Sequence, residues 1–121
     1  MSDLNNLEDF VRLTFLHLAC VDGSLHPNER DTIIEKMTEF FPEVTGHEEK
    51  LAAAESEYKK LGNTAVEELL THSWWQHASL DPALKQKLFA NLFDIINSDA
   101  RVNEEETRVL RIMKKWLLPE D

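Results

Sequence analysis

The stretch from Leu7 to Val21 constrains the fold more than any other part of the chain. Leu7, Phe10, Val11, Leu13, Phe15, Leu16, Leu18 and Ala19 recur at helical spacing and then fall on almost every side of the helix they define. A helix that is apolar all round must be enclosed, either by protein or by lipid. Lipid does not fit, because the apolar run Leu13–Val21 is far short of the ~20 residues that span a bilayer and contains His17. Other helices are therefore expected to wrap around this one, and no membrane insertion is expected.

The rest of the chain supplies them. Helix one should stop at Asp22-Gly23, and Pro27 suits the first turn of a second helix, where its missing N–H is no loss. Ile33, Ile34, Met37, Phe40 and Phe41 give that helix its inner face, and Phe41-Pro42 ends it. A third segment runs from about Gly46 to Leu61 with a narrower stripe of Leu51, Ala54, Tyr58 and Leu61. Gly62-Asn63 breaks it, and Asn63 or Thr64 can cap a fourth helix faced by Val66, Leu69, Leu70 and Trp74. Asp81-Pro82 starts a fifth, with Leu84, Leu88, Leu92, Phe93, Ile95 and Ile96. The pattern Asn103-Glu104-Glu105-Glu106 is a capping box opening a sixth, whose inner residues are Val109, Leu110, Met113, Trp116 and Leu117. No segment alternates, and 3 Gly with 4 Pro are too few for a chain that must turn often. The expectation is an all-α protein: a compact bundle of six to seven helices, residues 1–121 forming a single domain, with helices one and five at its centre.

Charge narrows the partners. With 13 Lys and Arg against 23 Asp and Glu, the formal net charge is −10. Nucleic acids and anionic membranes are bound through clustered cations, which this chain lacks. A cation or a basic protein surface is the better match. The lone Cys20 calls for no oxidising compartment, and Met1–Asn6 lacks a signal peptide's basic and apolar regions, so the expected location is cytoplasmic.

Two stretches repeat. Shifting the sequence by 77 positions places Asp22 on Asp99, Glu29 on Glu106 and Pro42 on Pro119. The apolar pattern follows, with Phe15/Leu92, Leu16/Phe93, Leu18/Ile95, Ala19/Ile96, Leu25/Val102, Ile33/Leu110, Phe40/Leu117 and Phe41/Leu118. Each unit, about 11–41 and 84–117, reads as a buried helix, an Asp, a short turn with an apolar residue, and a Glu in the first turn of the next helix.

The segment Ala19-Cys20-Val21-Asp22-Gly23-Ser24-Leu25-His26-Pro27-Asn28-Glu29 resembles the tellurite-resistance TerB-like family. That family's signature is a helix ending in Asp-Gly, an apolar residue two positions on and a Glu four further. Ile95–Glu106 resembles the same pattern, with Ala100 in place of Gly and Arg101 beside Asp99. The resemblance implies a compact helical fold with its two acidic turns near one another, a role in tellurite resistance or related stress responses, and metal-ion binding or sensing rather than catalysis. Similar domains occur in DnaJ-like co-chaperones.

The acidic pairs Asp22/Glu29 and Asp99/Glu106 admit two readings. A hard divalent cation wants several oxygens, which carboxylates, turn carbonyls and water supply, with His26 as an accessory ligand. Alternatively, Glu29 and Glu106 sit where a glutamate caps its own helix, and each Asp accepts turn N–H groups. Neither turn is an EF-hand, because the twelfth positions are Ile33 and Leu110. A nucleophilic Cys20–His17 pair lacks a third residue and an oxyanion hole, and no Gly-rich phosphate loop is present, so an enzyme is not expected. In Trp74-Trp75 the two rings point about 100° apart on a helix. One is expected to enter the core, with Trp75 as the candidate anchor for a protein partner, unless both pack under the Ser79–Asp81 turn. A protein-interaction module using the acidic surface and the Trp75 region, without metal, is thus the alternative to a cation-binding regulatory domain.

Overall fold

The first helix begins where a side chain can satisfy its open end: Asn6 Oδ1 accepts the N–H of Glu8 at 2.7 Å. The computed structural model describes residues 6–21, 25–74, 76–77, 80–97 and 104–118. These hold six helices and no strand: α1 (Leu7–Cys20), α2 (Pro27–Phe40), α3 (His47–Leu61), α4 (Asn63–Trp74), α5 (Pro82–Asn97) and α6 (Glu104–Leu117). The protein is all-α, and none of these helices is long and apolar enough to cross a membrane.

Every residue of α1 from Phe10 onward, and Val21 after it, is buried, and α1 packs against each of the other five helices. Its three enclosed polar side chains are all engaged. Arg12 bonds Glu8 and Asp9, Thr14 Oγ1 donates to the Phe10 carbonyl at 2.8 Å, and His17 reaches α3 and α4. Burial acts to raise the Glu8 carboxyl, but hydrogen bonds and charge from Arg12 and Lys50 outweigh it and hold it below its ordinary 4.5.

The breaks follow from local chemistry. Gly46 (φ +75°) precedes α3 and Gly62 (φ +86°) separates α3 from α4, both in backbone that a Cβ disfavours. The fourth helix starts directly after Gly62, and Asn63 does not cap it. Its side chain bridges the Tyr58 hydroxyl and the Val21 carbonyl instead. Asp81 does cap α5, accepting the N–H of Ala83 at 2.8 Å. Trp74 lies in the core, 5.8 Å from Trp116 in a near-parallel stack, with Phe10 on it at 6.0 Å.

The repeat survives in burial only in part. Phe15/Leu92, Leu18/Ile95 and Ala19/Ile96 are buried in both units, and so are Glu29 and Glu106. Leu16, however, is fully buried while Phe93 is 44% exposed. The cause is the segment between the units: α3 and α4 both pack on α1, whereas α5 packs mainly on α1, α2 and α6 and meets α4 through Lys85 over the Trp74 ring. Helix five is therefore less central than its apolar pattern predicts. Leu61, at the very end of α3, is exposed for a simpler reason, since the chain leaves the helix there. The second helices also differ in rotation. After its buried Glu, α2 next buries Ile33, four residues on, whereas α6 buries Val109, three residues on.

Candidate functional site

At the start of α2, His26 is the N-cap in extended backbone, Pro27 takes the first helical position, and Glu29 the third. Glu29 Oε1 accepts the backbone N–H of His26 at 3.2 Å, and the residue has no exposed surface. The capping reading of Glu29 is thus realised, and its carboxylate is turned away from solvent. His26 is half-buried. At the start of α6, Glu106 is 2% exposed in a first turn that also holds Glu104 and Glu105, where negative charge favours the helix dipole. Asp22, Asp99, Asn103 and Trp75, and with them the remaining halves of both acidic pairs, lie outside the described residues. Among the described residues, no group of three His, Cys, Asp or Glu side chains is arranged to hold a metal ion.

A different set of residues is brought together, and its centre is His17, 1% exposed in the middle of α1. His17 Nδ1 lies 2.8 Å from the Tyr58 hydroxyl of α3. That hydroxyl donates to Asn63 Oδ1 at 2.5 Å, and Asn63 Nδ2 donates to the Val21 carbonyl at 3.1 Å. On the other side, His17 Nε2 is 3.5 Å from Glu67 Oε1 on α4. Arg108 Nη1 of α6 donates to both Glu67 oxygens, at 3.0 and 3.2 Å, and its Nε to Glu105 at 3.4 Å. One polar chain therefore runs from the carbonyl just before Asp22 to the carboxylate just before Glu106.

Burial dominates the titration of His17 and pushes it below its ordinary 6.5, with the charge of Arg108 acting the same way and Glu67 opposing both. For Arg108 burial acts downward, but Glu67 and then Glu105 outweigh it and raise the guanidinium above its ordinary value. Both ring nitrogens of His17 face groups on other helices, so the Cys20–His17 pairing open to the sequence is not what the imidazole makes. Cys20 lines an open cleft of about 290 Å³ with Leu25, Tyr58 and Asn63, beside the Arg30–Glu55 ion pair.

The sequence gives one signal for this chain of groups, namely a histidine in an otherwise apolar helix, which must find partners if buried. The partners stand 41 and 50 residues away and are ordinary members of charged helices. His77 is a second surprise, buried against Phe10 with ring centroids 4.7 Å apart. No family model matches the chain, and no curated protein or solved structure matches it.

Proposed function

We propose that this chain is a non-enzymatic regulatory domain of the TerB-like kind, acting in a cytoplasmic stress response by holding a basic protein segment against the face shared by α2 and α5. The observation that carries this reading is Phe93, 44% exposed where its counterpart Leu16 is enclosed. The next residue, Asp94, is paired with Lys36 in an acidic stretch of α2. Lys36 is held above its ordinary 10.5 first by its hydrogen bond to Asp94, at 3.0 Å, and then by the charges of Asp94, Glu39 and Glu35. Asp94 pairs with the Lys36 ammonium and the charges of Glu35 and Glu39 act on it, with Lys87 over the Phe40 ring as a second cation, and the chain as a whole carries a net charge of −10. An apolar anchor beside a carboxylate rim suits a helix carrying Leu or Met among Lys and Arg.

Calorimetric titration with a designed Lys/Leu amphipathic peptide tests this. Wild type should bind it, and Phe93→Ser should bind roughly tenfold more weakly or not at all while remaining folded at the temperature of the titration. No binding by wild type, or equal binding by both, rejects the proposal.

A second reading keeps a divalent cation at the acidic turns, with Asp22, Glu29, Asp99 and Glu106 as ligands and His26 accessory. What favours it is the matched burial of Glu29 and Glu106, at 0% and 2% exposure. It ranks second because Glu29 already spends one oxygen on its cap. Heat on titrating Ca²⁺, Mg²⁺, Mn²⁺ or Zn²⁺ that falls in Asp22→Asn plus Asp99→Asn would support it; no heat with any ion would end it.

A further inference from the structure

The direction of each hydrogen bond around His17 is fixed by its far end. The Val21 carbonyl can only accept, so Asn63 presents its amide nitrogen there and its oxygen to Tyr58. The Tyr58 hydroxyl spends its one hydrogen on that oxygen. Tyr58 must then accept from His17, which places a hydrogen on Nδ1. In the neutral ring Nε2 is bare, and its lone pair faces the Glu67 carboxylate at 3.5 Å. That contact is attractive only when Nε2 also carries a hydrogen.

We infer that the proton on His17 Nε2 decides how Glu67 divides itself between α1 and α6, so that acidification loosens α6 from α4. With His17 neutral, both Glu67 oxygens serve Arg108. With His17 charged, Nε2–H draws Oε1 toward α1, and Arg108 keeps a shared carboxylate while facing a second cation. The charged and titratable groups that act on the imidazole among the described residues are Tyr58 from α3, Glu67 from α4 and Arg108 from α6, with Glu105 behind Arg108; none from α2 or α5 faces it. Burial keeps the ring neutral to a pH below its ordinary 6.5. A depressed folded value means that the neutral ring's contribution to stability is full above 6.5 and is lost as pH falls through the folded value.

The test is amide hydrogen exchange on the full chain, corrected for intrinsic rates, together with nitrogen NMR of the His17 ring. The α6 amides should open roughly tenfold more readily at about pH 5 than at about pH 7.5, with a much smaller change in α2. Glu67→Gln should abolish the excess of α6 over α2 in that pH dependence, leaving both helices to follow the stability of the whole chain, and move the His17 midpoint further down. The Glu67 side chain is 25% exposed and a glutamine keeps one oxygen to accept from Arg108, so the variant should fold, which its amide spectrum checks. The neutral ring should carry its hydrogen on Nδ1, which wild type alone reports. Opening of α6 that ignores pH, an excess pH dependence of α6 over α2 that persists in Glu67→Gln, or a neutral ring protonated on Nε2 would overturn the inference.

Discussion

The first and second helix pairs begin from nearly the same apolar pattern and end in different surroundings. In the first, α1 is closed on all sides by α3 and α4 as well as by the other unit. In the second, α5 has no such cover, and Phe93 stands at the surface at the position Leu16 fills in the interior. The lesson is that a shared apolar pattern does not give two helical hairpins a shared environment. The helices that lie between them in the chain decide which one becomes core and which one keeps a face for other use.

Substitutions at the paired positions sharpen this contrast. Leu16→Ala should lose about 2–5 kcal/mol of unfolding free energy, because it leaves a cavity in an enclosed site. Phe93→Ala should lose about 1 kcal/mol or less, and denaturant titration of the two variants measures the gap. The caps come next. Glu29→Ala removes the side chain that accepts the His26 N–H and should lose about 1–2 kcal/mol by the same titration. The smallest effect belongs to the bridge between the units. Asp94→Asn breaks the 3.0 Å pair with Lys36, but Asp94 is 56% exposed, so the loss should stay below about 1 kcal/mol and fade in high salt.

Much of the fold was legible from spacing. A helix apolar on every side can only be central, and α1 is; Asp81-Pro82 and His26–Glu29 carry their caps in the local sequence. Phe93 was misread for a physical reason. Periodicity says which face of a helix is apolar, not whether another element covers it. Asn63 was misread because a capping residue can be drawn away by a stronger tertiary partner, here the Tyr58 hydroxyl and the Val21 carbonyl. Of the candidate site, Glu29 was placed correctly as a capping residue. The His17–Tyr58–Asn63 and Glu67–Arg108 connections were not visible, since each joins helices far apart in the chain and no local pattern encodes which faces meet.

Mapping amide and side-chain NMR shifts of the full chain during titration with the Lys/Leu peptide tests the central claim most directly. The account predicts shifts concentrated at Phe93 and Asp94 of α5 and at Glu35 and Glu39 of α2, with α1 unmoved. Shifts centred instead on His26–Glu29 and the start of α6, with Phe93 silent, would contradict it and return the function to the acidic turns.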